Sequence, residues 1–234
     1  AAATLVAHLD DPAWLVIDVR HQLADTGYGE CVYAENHIPG AVFLHCDCDL
    51  SGPMTGSNGR HPLPAVEKLA ARLGEIGIGP QTQVVIYDDA QGMIAGRLWW
   101  LLRWLGHQQV AVLDGGFQAW QAAGGALTTE LPLLRPTTFT AKVRDTMVDA
   151  DYVQAFLQTS RMHLVDARSP DRFRGENETI DPVGGHIPGA VNRFFRENLR
   201  ADGRFKPAAE LRAEWLMVLA GASPEQVVHQ CGSG

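Results

Sequence analysis

The sequence predicts an α/β protein in which one domain occurs twice, each copy containing a mostly parallel β-sheet flanked by helices. Its 234 residues are enough for two domains of ordinary size. Short runs rich in β-branched apolar residues alternate with segments of helical periodicity, which is typical of parallel sheets covered by helices. Three sequence blocks also occur twice in the same order, and this recurrence predicts a duplicated domain.

The repeated blocks lie at a nearly constant spacing along the chain. They are WLVIDVR (14–20) with HLVDAR (163–168), HIPGAV (37–42) with HIPGAV (186–191), and VVIYDD (84–89) with VVHQCG (227–232). In this alignment Asp88 of the first copy corresponds to Cys231 of the second.

Each element of the first copy follows from a local pattern. Residues 14–18 and 84–87 are short apolar runs of the kind that form buried strands. Residues 63–78 place apolar side chains at helical spacing, and the glycines and proline near the end of this segment stop the helix. Further elements are predicted in the order helix, strand and helix at residues 96–105, 111–116 and 117–125.

The repeat also divides the chain into domains. The first is predicted at residues 1–126 and the second at residues 141–234, joined by a linker at residues 127–140 that carries two prolines. A helix, a strand and a helix follow the third block in the first copy, whereas only three residues follow Cys231 in the second. We therefore expect the second domain of this sequence to be truncated, without its C-terminal part.

Composition and charge exclude several classes of partner. The net charge of −8 gives no general attraction to nucleic acid or to anionic membranes. No apolar run reaches the roughly 18–20 residues that cross a bilayer, so no membrane partner is expected. The four cysteines show neither metal nor disulfide spacing, which favours reduced thiols in a cytoplasmic protein.

Cys231 is the candidate nucleophile. It follows a predicted strand, and in open α/β sheets ligands bind beyond the carboxyl ends of strands. The sequence Cys-Gly-Ser-Gly that it opens allows the backbone to curl, so that several N–H groups stabilise an anion there. The alternative is a buried structural cysteine in a tight turn.

Several motifs together resemble the two-domain rhodaneses and mercaptopyruvate sulfurtransferases. They are the paired DxR and HIPGAV blocks, LDGGFQAW at residues 113–120, and the final CGSG. The resemblance covers nearly the whole chain. It implies two tandem rhodanese-like domains, each with a five-stranded sheet, of which the first is catalytically silent because Asp88 replaces the cysteine.

The resemblance also implies the reaction. The Cys231 thiolate would take a sulfane sulfur from a small anionic donor, either 3-mercaptopyruvate or thiosulfate, and hold it as a persulfide. A thiophilic acceptor such as cyanide, a thiol or thioredoxin would then remove the sulfur. This covalent catalysis needs neither a metal nor an organic cofactor.

Donor-binding residues are carried over by motif. Arg172 in RFRG falls where the family grips the anionic group of the donor, and a guanidinium suits a carboxylate or sulfonate. Gly232 and Gly234 belong to the donor-binding loop, which here lacks the two cations of thiosulfate-specific members and so favours an α-keto acid donor. The mercaptopyruvate enzymes add a second Arg just downstream, but this sequence reads ETIDPVGG there and offers only Arg193 or Arg196.

A proton relay is also implied by the resemblance. Ser233 matches the loop serine of the mercaptopyruvate enzymes, and His61 in RHPLP and Asp47 match the histidine and aspartate. A histidine that titrates near neutral pH suits the leaving enolate, which needs a proton. The alternative for these residues is a role in stabilising their loops.

Two other functions compete with sulfur transfer. A cysteine-based phosphatase would need an arginine after five further residues, and HIPGAV in both copies argues against it. A non-catalytic sulfur-carrier or interaction module would be favoured if the second domain is truncated. Activity assays on full-length and truncated chains would distinguish these functions.

Overall fold

The computed structural model describes residues 1–232 and divides the chain into two compact units, one of residues 1–145 and one that begins at Thr146. The strands of the first unit are β1 (Trp14–Asp18), β2 (Val42–Phe43), β3 (Gln83–Tyr87) and β4 (Val110–Val112). Its helices are α1 (Ala2–Val6), α2 (Tyr28–Glu35), α3 (Val66–Glu75), α4 (Met93–Trp104) and α5 (Gly116–Ala122).

The first unit contains a parallel sheet in the order β2-β1-β3-β4. Because successive residues of a strand face opposite sides, Ile17 and Val16 belong to different halves of the core. Ile17 lies in the larger cluster with the apolar faces of α3 and α4, and Val16 lies with residues of α1 and α5. Helices therefore cover both faces of the sheet, as the apolar strands predicted.

The number of strands differs from the five expected in each domain. Among residues 1–145 four strands form, and the chain after α5 adds one antiparallel bridge between His37 and Thr128. Each of these two residues donates its N–H to the carbonyl of the other at 2.9 Å. The two prolines of the segment that follows carry no N–H for a longer ladder.

The predicted linker, residues 127–140, lies against the first unit. Thr137 N–H donates to the carbonyl of Gly74 at 2.9 Å. A Cβ at Gly74 would stand 2.6 Å from the Thr137 carbonyl oxygen, so this close backbone approach requires glycine.

The second unit repeats the central part of this arrangement. Its elements are α6 (Ala150–Phe156), β5 (His163–Asp166), α7 (Pro170–Arg174), β6 (Val191–Asn192), α8 (Ala208–Leu219) and β7 (Val227–Gln230). Among its described residues the sheet has three parallel strands in the order β6-β5-β7, which matches β2-β1-β3. No helix within residues 1–232 is long and apolar enough to cross a membrane.

Matching ion pairs lie at the carboxyl ends of β1 and β5. Arg20 Nε lies 2.9 Å from Asp18 Oδ2, and Arg168 makes the same contact with Asp166 at 3.1 Å. Each guanidinium also donates to the carbonyl just before the HIPGAV histidine, that of Asn36 at 2.7 Å in the first unit. The DxR blocks therefore tie the strand end to the HIPGAV block.

Candidate functional site

Cys231 follows β7 directly, at the carboxyl edge of the second sheet. β7 pairs with β5 as far as Gln230 and Asp166, so the thiol lies next to the end of the strand that carries the Asp166–Arg168 pair. Cys231 is half-buried, and Gly232 beside it lies in a bend. Ser233 and Gly234 lie outside the described residues, and their roles remain predictions.

Asp88, the counterpart of Cys231, sits in a nest of backbone N–H groups. Its Oδ1 accepts from Ala90 at 3.0 Å and from Gly92 at 2.8 Å. Its Oδ2 accepts from Ile94 at 2.8 Å and from Ala95 at 2.9 Å. The last two donors belong to the first turn of α4, where N–H groups have no partner within the helix. The loop after β3 therefore surrounds a buried anion with four donors.

The structure brings together His61 and Asp47, the two residues predicted for a relay. His61 Nε2 lies 3.2 Å from Asp47 Oδ1, and the imidazole is largely buried whereas the carboxylate remains about one third exposed. Burial holds the pKa of His61 below its usual value, Arg97 lowers that pKa further, and the Asp47 carboxylate opposes both effects. His61 is therefore favoured as a neutral imidazole.

Arg97 of α4 positions the segment that carries His61, and sequence reasoning missed it. Its guanidinium donates to the carbonyl of Leu50 at 2.8 Å and to that of His61 at 2.9 Å. A further donation reaches the Pro62 carbonyl at 3.2 Å. The available signal was an arginine within the apolar run MIAGRLWWLLRW, because a charge in such a helix commonly has a buried partner.

His21 was also missed. It is 4% exposed, follows the DxR pair of β1, and places Nε2 4.0 Å from Asp47 Oδ1. This nitrogen is buried and has no hydrogen-bond partner among residues 1–232. Cys46 belongs to the same cluster as His21, Asp47 and His61. Imidazole, carboxylate and thiol groups that suit a transition metal therefore lie close together.

The predicted donor-binding Arg172 is held by two carboxylates of the second unit. Its Nε donates to Glu178 Oε2 at 2.9 Å, and a terminal nitrogen lies 2.8 Å from Asp181 Oδ2. A backbone N–H of Asp181, together with Arg172, holds the pKa of Glu178 low, at about 2, so that carboxylate is charged. An anionic ligand of Arg172 has to exchange with these carboxylates.

The alternative arginines are engaged as well. Arg193 pairs with Glu214 and with Glu197, the latter at 3.2 Å. The guanidinium of Arg196 lies 5.7 Å from the ring centre of Phe195. Among the described residues of this unit the ion-pair partners of Arg172 are Glu178 and Asp181, so the second donor-binding arginine stays a prediction.

The chain has two α/β units, each built on a parallel sheet, and a thiol lies at the carboxyl edge of the second sheet. These features define the class of protein. A family model described as the Rhodanese-like domain matches residues 1–123 and 149–234. The chain belongs to this rhodanese-like family.

Similar proteins share much of the sequence. The chain is 48% identical over 236 residues to a probable 3-mercaptopyruvate sulfurtransferase of Pseudomonas aeruginosa, covering 100% of this chain and 83% of that protein. It is 37% identical over 203 residues to a putative thiosulfate sulfurtransferase of Mycobacterium tuberculosis, covering 85% and 70% of the two chains.

Solved structures agree with the fold. The 3-mercaptopyruvate sulfurtransferase of Escherichia coli matches with a TM-score of 0.83 and 32% identity, covering 100% of this chain and 87% of that one. The enzyme of that name from Leishmania major matches with a TM-score of 0.84 and 31% identity, covering 98% of this chain and 65% of that one.

Proposed function

We propose that this chain is a sulfurtransferase that carries sulfur as a persulfide on Cys231. The observation that carries the proposal is the equivalence of Cys231 and Asp88, each the first residue after the corresponding strand of its sheet. In the first unit that position holds an anion among four N–H groups. A corresponding nest around Cys231 would stabilise a thiolate and then a persulfide anion.

The reaction has two steps. The Cys231 thiolate attacks the sulfane sulfur of the donor, a sulfur–sulfur bond forms, and the bond between that sulfur and the rest of the donor breaks. The leaving group is sulfite from thiosulfate, or the enolate of pyruvate from 3-mercaptopyruvate. A cyanide, a thiol or the dithiol of thioredoxin then attacks the outer sulfur, and the thiolate returns.

The proposal assigns the proton chemistry to His61, Asp47 and Ser233. The 3.2 Å contact between His61 and Asp47 supports it, because a carboxylate that accepts from one ring nitrogen orients the imidazole and stabilises its charged form. The charged form of His61 would supply the proton that the leaving enolate takes up. Thiosulfate releases sulfite and has less need of this proton.

Donor recognition is assigned to Arg172, Gly232 and Gly234. One relative is named for 3-mercaptopyruvate and another for thiosulfate, which supports one of these small anions as the donor. The uncharged Gly232 after Cys231 favours the α-keto acid. The proposal also places the protein in the cytoplasm, which cysteines without disulfide spacing support.

Mass spectrometry tests the proposal. The protein is incubated separately with 3-mercaptopyruvate and with thiosulfate, and its mass is compared with that of Cys231→Ser. We expect a gain of one sulfur, roughly 32 Da, on the native chain and none on the variant. Cys48→Ser is the matched control, because Cys48 is an exposed thiol outside the proposed site.

The rate of sulfur uptake identifies the preferred donor. Uptake that persists in Cys231→Ser would reject the assignment of the nucleophile. No uptake from either donor would reject the enzyme and leave a binding or scaffold role as the better account.

A further inference from the structure

We propose that the first unit contains a binding site for a tetrahedral transition-metal ion, with Zn²⁺ as the best fit, formed by His21, Cys46, Asp47 and His61. Each residue offers one ligand atom, and these four atoms lie within 4.8 Å of one another. The ligand set does not include Cys231, and the test of the site does not depend on sulfur transfer.

The chemistry of the four ligands selects the metal. Two imidazoles and one thiolate are borderline and soft donors, and together with one carboxylate they suit Zn²⁺ better than Mg²⁺ or Ca²⁺. Because metal–ligand bonds to Zn²⁺ are about 2.0–2.3 Å long, tetrahedral ligand atoms lie roughly 3.3–3.8 Å apart. The 3.2 Å between His61 and Asp47 and the 4.0 Å between His21 and Asp47 are already close to that spacing.

His21 provides an independent indication of a ligand. Its side chain is only 3% exposed, and its buried Nε2 has no hydrogen-bond partner in the part of the chain that the structure describes. A buried polar nitrogen without a partner is costly, and a metal ion would satisfy it. The nitrogen lies 4.0 Å from Asp47 Oδ1, among the other ligand atoms of the cluster.

Separate segments of the first unit hold the four ligands in place. His21 follows β1, Cys46 and Asp47 lie shortly after β2, and His61 belongs to a segment that Arg97 anchors through its carbonyl. The side chain of Asp47 is 36% exposed, which provides an entry path for the ion from solvent. The other ligands are buried or nearly so, and a bound ion would be largely enclosed.

The neighbouring His45 has a different role. Its Nδ1 accepts the N–H groups of Asp47 and Cys48, so its Nε2 carries the proton and donates to the Thr26 carbonyl at 3.0 Å. Both ring nitrogens are therefore engaged in shaping the turn that presents Asp47 and Cys46. His45 supports the site and is not one of its ligands.

Metal binding changes the state of two ligands. The Cys46 thiol loses its proton to solvent when its sulfur bonds to the ion, and His61 moves its remaining proton to Nδ1 so that Nε2 can bind. Occupancy also takes up both His61 and Asp47. If these residues act as the proposed relay, bound Zn²⁺ competes with proton transfer, a consequence that rests on the proposed function.

Cobalt substitution tests the site directly. Co²⁺ is titrated into chelator-treated Cys231→Ser protein, which lacks the reactive thiol and cannot transfer sulfur. We expect one equivalent to give the intense visible absorption of tetrahedral Co²⁺ together with a near-ultraviolet thiolate-to-metal band, and Zn²⁺ to displace the cobalt and abolish both.

Two ligand variants and a matched control identify the residues. In the same background, Cys46→Ser should abolish the thiolate band, and His21→Gln should weaken binding by at least about 100-fold, more than the loss of an outer-shell partner. Cys48→Ser, which removes an exposed thiol two residues away, should leave the spectrum and the affinity unchanged. Circular dichroism without metal checks that each variant is folded.

Two results would overturn the site. One is a folded parent protein whose cobalt spectrum shows octahedral coordination or no thiolate band. The other is a spectrum and affinity that survive Cys46→Ser, because the bound ion would then use other thiols. Both outcomes leave sulfur uptake on Cys231 in the native chain untouched, so the two proposals fail independently.

Discussion

Asp88 of the first unit and Cys231 of the second occupy the same place relative to their sheets. Each directly follows the strand that pairs with the DxR strand, β3 in one unit and β7 in the other. Asp88 fills its nest with its own carboxylate, which receives four N–H groups. In the first unit the place that corresponds to Cys231 is thus filled by a side-chain carboxylate.

The Asp88 nest should contribute strongly to the stability of the first unit. Asp88→Ala leaves four N–H groups without their acceptor and should lower the free energy of unfolding by on the order of 3 kcal/mol. Asp88→Asn keeps one oxygen acceptor and should cost about half as much. Urea denaturation measures both.

Asp89→Asn is the control for this comparison, because the Asp89 carboxylate receives the hydroxyl of Tyr28 at a half-buried position. It should cost about 1 kcal/mol. Equal decreases in the free energy of unfolding for Asp88→Ala and Asp89→Asn would contradict a strong contribution of the nest to stability.

The Asp47 carboxylate should set the protonation of His61. Because Asp47 raises the pKa of His61 against the effects of burial and Arg97, Asp47→Asn should lower that pKa further. NMR titration of the His61 ring in the presence of a chelator measures the change. Asp10→Asn, at an exposed carboxylate, should leave the titration as it is. An unchanged or higher pKa in Asp47→Asn would contradict the contact.

Buried histidines should make the first unit sensitive to acid. Burial lowers the pKa of His107, so the unfolded chain binds its proton at a higher pH than the native chain does. The native state is therefore fully favoured above the unfolded pKa of about 6.5 and loses stability as the pH falls through the lower native pKa. Each such proton adds up to about 1.4 kcal/mol per pH unit.

His107→Gln isolates this effect. It removes one titrating group and should flatten the dependence of unfolding free energy on pH below about 6.5. It should also lower stability at pH 8 modestly, since the ring donates to the Thr82 carbonyl at 2.9 Å. Urea midpoints across this pH range measure the slope. The same slope in the variant and in the native chain would exclude His107 as a source.

Glu178 and Asp181 should compete with an anionic donor for Arg172. Replacing both by Glu178→Gln and Asp181→Asn should lower KM for the donor by about threefold to tenfold, equivalent to roughly 1 kcal/mol. Arg172→Lys loses the two-pronged contact and should raise KM roughly tenfold. Steady-state rates with each donor measure these changes.

Arg174 is the matched control, because it pairs with Glu176 at an exposed position on the same helix. Arg174→Gln should leave KM unchanged, since exposed ion pairs contribute little. A similar increase in KM for Arg174→Gln and Arg172→Lys would point to general electrostatics and away from a specific contact.

Much of the fold was evident from the sequence because it depends on local patterns. Apolar runs predicted the central strands, helical spacing predicted α3, and the repeated blocks predicted the matching order of the two sheets. The position of Cys231 just after a strand also follows from the order of residues alone. The number of strands could not be predicted in this way, because the single bridge between His37 and Thr128 depends on how the chain after α5 packs.

The detailed contacts were decided only by the tertiary structure. Arg97 contacts the His61 segment, His21 faces Asp47, and these partners lie far apart along the chain without any shared periodicity. Burial then determines which nitrogen lacks a partner and which pKa shifts, because both depend on how many neighbours exclude water. The sequence determined the residue types and the strand ends that carry them, and packing determined which of these groups meet.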